Sequence, residues 1–396
     1  MTAPDIPLSA PDIPLSAPDI TDAEIDAVVS VLRTPRLSLG PQIEQFEAAM
    51  AAYIGVPHAV AVSSGTAGLH LALLALGISS GDEVIVPSFT FIAVANAVRY
   101  VGALPVFADI DPETLNLSPS SVEAAITPRT RALIAVHTFG RPADIVALLD
   151  IANRHNLRVI EDVCEAIGAE VGGRRVGSFG DAGVFAFYPN KQITTGEGGM
   201  VVTRQAETAQ RIAAFRNHGR YESGSQAPAQ PANTWLDHAW FDHVELGYNY
   251  RLSEMQCALG LAQLARIDDI LARREAIARR YCDLLCDDPD LLLPAVDIPG
   301  QRLSWFVFVV RLASSLARAD RDRISHDLAA AGIATGRYFA PIHLQPAYAT
   351  WRESAHLPIT ESVAARTLAL PFFNRITGEQ IDRVCSVLRF ASRGKS

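Results

Sequence analysis

Cysteine is scarce. The five residues, Cys164, Cys257, Cys282, Cys286 and Cys385, are scattered, odd in number and contain no Cys-x-x-Cys pair. That excludes a disulfide framework, argues against a structural zinc site, and suits a reduced, cytoplasmic compartment. No apolar run reaches the roughly 18 residues that a membrane-crossing helix needs, so no membrane partner is expected. The opening residues, MTAPDIPLSAPDI, lack the basic start and apolar stretch of a secretory signal. Long basic runs are missing too. With 34 Lys+Arg against 43 Asp+Glu the net charge is −9, and no nucleic-acid partner is expected. The ten histidines show no spacing such as His-x-x-x-His with a third ligand, so no metal is expected. What the 396 residues do have is apolar content, 49% hydrophobic against 19% charged. Such a chain buries a large core, which excludes wholesale disorder and suggests two or three domains.

The first twenty residues carry a direct repeat, APDIPLS at 3–9 and again at 10–16, with APDI at 17–20. Its prolines and its lack of a periodic apolar face predict a flexible tail over 1–20. Order is expected from Thr21, which forms a capping-box pattern with Glu24 ahead of Ile25, Val28, Val29 and Leu32 at helical spacing. A second helix is expected from Pro41, with Ile43, Phe46 and Met50 on one face. Short apolar runs at 59–62, 83–86, 105–108, 132–136 and 158–160 then alternate with helical patterns at 66–76, 90–99, 119–126 and 142–155. That alternation predicts an α/β fold with a mostly parallel sheet flanked by helices. Two more apolar runs, 183–187 and 199–203, flank a glycine-rich loop, and 222–234 reads as a polar loop. A helical stretch over 252–287 leads to a strand at 304–312 and helices at 318–331, 360–369 and 378–390. The domains expected are a large one over 21–260 and a smaller C-terminal α+β one over 261–396.

Three local patterns carry chemistry. Ser63-Ser64-Gly65-Thr66 joins an apolar strand to a helix, so free N–H groups and a positive dipole end meet there. This is neither a Walker loop nor a Gly-x-Gly-x-x-Gly fingerprint, and taken alone an ordinary helix cap is the plainer reading. Asp162 sits just past the buried strand of VIED, at its carboxyl end, where open α/β sheets bind ligands; a helix cap is the plainer reading. Lys191 follows the strand of FAFYPNK and precedes ITTGEGG. A lysine is usually a solvated charge, but its neighbours here are small, polar or apolar, which suits an amine nucleophile in a pocket. An anion cradle, a strand-end aspartate and a pocket lysine together match the needs of pyridoxal phosphate.

With these residues the chain resembles the DegT/DnrJ/EryC1/StrS family of sugar aminotransferases, of the aspartate-aminotransferase (type I) fold, from about Ile13 to the C-terminus. The telling stretches are SSGTAGLHLAL, GDEVIVPSFTFIA, GALPVFADID, VIEDVCEAIGA, GSFGDAGVFAFYPNKQITTGEGGMV and GYNYRLSEMQCALGLAQL. The resemblance implies that Lys191 forms the Schiff base and Asp162 pairs with the pyridinium nitrogen. Gly65 and Thr66 would hold the phosphate, and Phe91 would stack on the ring, its plainer role being a core aromatic. Asn249 would reach the phosphate of the neighbouring subunit, which implies a homodimer with shared active sites. Arg251 reads as a structural ion pair. Glu165 stands where many members have a glutamine bonded to the cofactor's O3′, and an ionised glutamate cannot donate as glutamine does. Ala186 stands where many have a phosphate-binding serine. His137 could line the pocket or sit satisfied in the core, and Pro341-Ile342-His343, near Tyr348, resembles a segment close to the substrate.

The implied activity is transfer of an amino group from an amino acid, glutamate by resemblance, to a keto-sugar, nucleotide-linked and ketonic at carbon 3 or 4. The product would serve cell-surface polysaccharide or secondary-metabolite synthesis. The alternatives are transamination of a non-nucleotide ketone such as a cyclitol, and a non-catalytic cofactor-binding regulator. A dehydratase of the same fold would have lost the lysine, and Lys191 is present.

Overall fold

Strand residues alternate between two helical layers, and that period-two pattern builds the larger part of the molecule. The computed structural model describes residues 11–221, 243–351 and 355–394. Two helices come first, α1 (Asp22–Leu32) and α2 (Pro41–Ile54). Then follow β1 (His58–Val62), α3 (Gly65–Ala75), β2 (Glu83–Pro87), α4 (Ala93–Tyr100), β3 (Leu104–Ala108), α5 (Pro119–Ala125), β4 (Thr130–Val136), α6 (Ile145–His155) and β5 (Arg158–Asp162). A short hairpin, β6 (Glu170–Val171) and β7 (Arg174–Arg175), precedes β8 (Ala182–Ala186), β9 (Gly199–Thr203) and α7 (Ala206–Arg216). The remaining elements are α8 (Glu254–Ala265), α9 (Ile267–Leu285), β10 (Leu291–Leu292), β11 (Gln301–Arg302), β12 (Phe308–Leu312), α10 (Arg318–Ala330), α11 (Pro358–Arg366), β13 (Thr367–Leu370) and α12 (Gly378–Arg393).

The main sheet has seven strands in the order β1-β9-β8-β5-β4-β2-β3. The pairs β2–β3, β2–β4, β4–β5 and β5–β8 are parallel, and only β9 runs against its neighbours. On β4, Ala132, Ile134 and Val136 enter the core under α3 and α4, while Leu133 and Ala135 enter the core under α6. Both faces are therefore apolar and both are covered, as a parallel sheet requires. Because the strands share one direction, their carboxyl ends and the turns after β1, β2, β4, β5 and β8 gather along one edge. Ligands bind at that edge in open α/β sheets.

A second, antiparallel sheet, β10-β12-β13, packs with α9, α10 and α12 around Tyr281, Phe308 and Phe372. Helix α9 runs from one core to the other: Ile267, Ile270 and Leu271 belong to the first, Ile277 and Tyr281 to the second.

The flexible tail expected over 1–20 needs correction from residue 11 on. Ile13 is buried in the second core and pairs with Ile333, through Ile13 N–H to Gly332 O (3.1 Å) and Ala334 N–H to Ile13 O (3.0 Å). Asp19, also buried, accepts from Arg266, Arg375 and Asn374. An extended strap that uses single side chains leaves no helical or long strand period to read. Residues 1–10 and the loop expected at 222–234 lie outside the described residues. Helix α1 forms with its capping box, but Ile25 and Leu32 are more than half exposed (52% and 54%). Its Glu24 is buried instead, against Gln263 and Arg266. The helix expected over 360–369 ends at Arg366 and gives way to β13. Helix α7, the β6–β7 hairpin and β11 have no counterpart among the elements expected from sequence.

Candidate active site

The turns at the carboxyl edge enclose a cavity of about 440 Å³. It brings together Gly65, Thr66, Phe91, Asp162, Glu165 and Lys191. Of the residues the resemblance assigns to the cofactor, Asn249 does not line it, and neither do His137 and the Pro341-Ile342-His343 segment.

At one wall, α3 begins. Ser64 caps it by accepting the Ala67 N–H at 3.0 Å, which leaves the N–H groups of Gly65 and Thr66 without an acceptor among the described residues. A side chain at 65 is excluded: a Cβ there would stand 2.8 Å from Ala186 Cβ and 2.9 Å from Cys164 Sγ. Glycine at 65 and alanine at 186 let the helix start press against the end of β8. The result is a positive helix end, with two N–H groups left over by the Ser64 cap, facing an enclosed space.

Asp162 ends β5, 6% exposed, with its carboxylate on the cavity. Its Oδ1 accepts the Cys164 N–H at 3.0 Å, and the carboxylate has capacity for a further donor. Burial and the adjacent Asp162 push the Cys164 thiol well above its usual range, so it stays a neutral SH and not a nucleophile.

Lys191 sits in the turn after β8, and that turn is pinned on several sides. Its own N–H donates to Tyr188 O at 2.9 Å. Gln192 Nε2 donates to Glu165 O at 2.7 Å and to Ser304 Oγ at 3.0 Å. Thr194 N–H donates to Gln263 Oε1 at 3.2 Å, and Thr194 Oγ1 to Phe187 O at 2.9 Å. The ε-nitrogen comes 3.9 Å from Glu165 Oε1 and 4.1 Å from the centroid of the Phe306 ring. Burial pushes the Glu165 carboxyl up to about 6, against the pull of Lys191 and of the Phe139 N–H that donates to Oε2 at 2.9 Å. Phe91 is 62% exposed on the cavity rim, so its plainer role as a core aromatic is excluded.

Sequence reasoning missed the far wall, made of Asn190, Phe306, Tyr338 and Phe339. Asn190 is adjacent to Lys191, and its buried Oδ1 has no hydrogen-bond partner among the described residues. The apolar run SWFVFVVRL announces an extended segment, but nothing in it tells which face meets a cavity built by residues far upstream.

Asn249 is exposed and bridges Asn217 across a short antiparallel contact. Its segment is tied to the helix start, since Tyr250 O accepts the Ser63 N–H at 2.8 Å. Arg251, expected in an ion pair, instead donates to the amide oxygen of Asn217 at 2.8 Å. His137 is a core residue: Nδ1 accepts the Ala143 N–H at 3.0 Å and Nε2 faces Glu161 at 3.1 Å. His343 is buried against Ser88 Oγ at 2.6 Å, and Tyr348 donates to Asn96 Oδ1 at 2.8 Å. Among the described residues no group of three or more His, Cys, Asp or Glu is arranged to hold a metal ion. No described helix is long and apolar enough to cross a membrane.

The residues fit pyridoxal phosphate. Two free N–H groups at a helix start suit its phosphate, a buried carboxylate with spare capacity suits its ring nitrogen, and a held amine suits its carbonyl. Fold and site thus define a pyridoxal-phosphate-dependent transferase of the α/β type.

The profile of the DegT/DnrJ/EryC1/StrS aminotransferase family matches residues 18–389, and the chain belongs to that family. It is 42% identical to a GDP-perosamine synthase of Caulobacter vibrioides, across 92% of this chain and 94% of that one. It is 40% identical to a UDP-N-acetyl-3-dehydro-alpha-D-glucosamine 3-aminotransferase of Acidithiobacillus ferrooxidans, across 94% and 95%. The sugar aminotransferase Spr1654 of Streptococcus pneumoniae, described as putative and solved in a pyridoxal-phosphate form, superposes with a TM-score of 0.88 at 27% identity, across 96% and 98%. The chain is an aminotransferase, and pyridoxal phosphate is its cofactor.

Proposed function

We propose that this aminotransferase moves an amino group from an amino acid, glutamate, to the ketone of a nucleotide-linked 3- or 4-keto-deoxysugar. The product is an amino sugar for cell-surface polysaccharide or secondary-metabolite synthesis. The observation that carries the reading is the convergence of Lys191, Asp162 and the α3 helix start on one cavity of about 440 Å³. Two relatives matched over nearly their whole length bear the names of nucleotide-linked sugar enzymes, which supports the substrate class.

The bound cofactor supplies the carbonyl that carries the amino group and a ring that withdraws electrons. Gly65 and Thr66 would hold its phosphate through backbone N–H groups, and Phe91 would cover the ring. Asp162 would keep a proton on the ring nitrogen and so favour the ring's electron-withdrawing form. Lys191 Nζ would take the proton from the donor's Cα, and for the keto-sugar the same nitrogen would act in reverse.

The enzyme works as a homodimer in the cytoplasm, with Asn249 serving the partner's site. The exposed apolar residues Ile25, Leu32, Leu37 and Leu39 and the exposure of Asn249 support this arrangement. A screen of nucleotide-linked 3-keto and 4-keto sugars with glutamate carrying labelled nitrogen tests the reading. Label in the sugar product is the expected result. Label that enters only a non-nucleotide ketone, such as a cyclitol, rejects it.

A further inference from the structure

We propose that Glu165 is the internal counter-charge of Lys191: it holds the free side chain as an ammonium and so sets the pH range in which the cofactor attaches. The proposal rests on Lys191 as the attachment point.

Two contacts from different parts of the chain meet the ε-nitrogen, Glu165 Oε1 at 3.9 Å and the face of Phe306 at 4.1 Å. A carboxylate and an aromatic face both favour a cation over a neutral amine. Little water screens them, since the lysine side chain is 14% exposed and the glutamate side chain 8%. Nor can Glu165 turn away freely. Its Oε2 is taken by the Phe139 N–H at 2.9 Å, and its carbonyl is held by Gln192, the residue after the lysine, at 2.7 Å. The pair is therefore built in from both sides, although 26 residues of sequence separate its members. The other titratable groups lining the cavity are Asp162, Cys164, Tyr188, Glu197 and Tyr338, and Lys191 is the one cation among the described lining residues.

Attachment needs the neutral amine: Nζ gives up a proton to solvent, bonds to the carbonyl carbon, and the carbonyl oxygen leaves as water. Losing the ammonium strands the Glu165 charge in a buried site, so glutamate at 165 opposes attachment wherever it is ionised, above about 6. Glutamine at the same place would lift that opposition while its carbonyl still accepts the Phe139 N–H.

The test uses full-length protein stripped of cofactor. Pyridoxal phosphate is added across a range of pH, free cofactor is removed, and the attached fraction is read by absorbance for wild type, Glu165→Gln and Glu165→Asp. The midpoint for Glu165→Gln is expected about one pH unit or more below wild type. Glu165→Asp, which keeps the charge, is expected nearer to wild type. Phe306→Leu removes the ring face and is expected to move the midpoint the same way by less. Equal midpoints for wild type and Glu165→Gln, with both proteins folded by circular dichroism, overturn the proposal. Wild type that attaches cofactor at no pH overturns the reading of Lys191 itself, a result separable because no variant is needed to see it.

Discussion

His137 Nε2 lies 3.1 Å from Glu161 Oε2, with neither side chain exposed. The histidine Nδ1 accepts the Ala143 N–H, which leaves Nε2–H to donate to the carboxylate. The N–H groups of Gly177, Phe179 and Gly180 also donate to Glu161. Successive residues of β5 thus point opposite ways: Glu161 anchors the 177–180 turn beneath the sheet, and Asp162 meets the cavity.

Burial alone would raise the Glu161 carboxyl, but the His137 hydrogen bond and the backbone donors outweigh it and hold it below the usual glutamate range. A depressed carboxyl stabilises the fold above its unfolded value, and that contribution is lost as pH falls through the folded one. Glu161→Gln puts a donor among donors and should cost about 2–4 kcal/mol near neutral pH. Urea unfolding should also show a shallower loss of stability on acidification in the variant. A variant as stable as wild type would mean that this network does not hold the turn.

Asp162→Asn removes the charge at almost constant size. Turnover should fall on the order of 10²-fold or more while the fold is kept. Steady-state kinetics check this, and a loss of only a few-fold rejects the role of Asp162.

Gly65→Ala places a methyl 2.8 Å from Ala186 Cβ and 2.9 Å from Cys164 Sγ. The first turn of α3 must shift away from β8. Cofactor affinity should drop roughly tenfold or more, about 1.4 kcal/mol at least, in an absorbance titration. Unchanged affinity would move the phosphate site elsewhere.

Much of the fold is legible in the sequence, because the sheet is regular. Each buried strand is a short apolar run and each crossover a helical one, so β1 to β5, β8 and β9 fall within a residue or two of expectation. What escaped depends on partners distant in sequence. Ile13 and Asp19 look like tail residues until Ile333, Arg266 and Arg375 are brought beside them. Lys191 has no acid near it in sequence until Glu197, yet its neighbour in space is Glu165. The near wall of the cavity was legible because its residues follow strand ends, where chemistry concentrates. The far wall, Phe306, Tyr338 and Phe339, comes from segments with no such mark.

The proposed shared-site homodimer predicts complementation. Mixed dimers of Lys191→Ala and Asn249→Asp chains, each inactive alone, should recover about half of wild-type activity per hybrid, since one of two equivalent sites is then intact. With subunit exchange confirmed by differential tags, a mixture that stays inactive places Asn249 in its own chain's site.

The central claim is that Lys191 carries the cofactor. The chain has only two lysines, Lys191 and Lys395, so borohydride reduction of the loaded enzyme followed by peptide mapping decides it cleanly. The reduced cofactor should be found on the peptide that contains Lys191 and be absent in Lys191→Ala. A label on Lys395 or on the α-amino group, or no label on a protein that still transfers nitrogen, would contradict it.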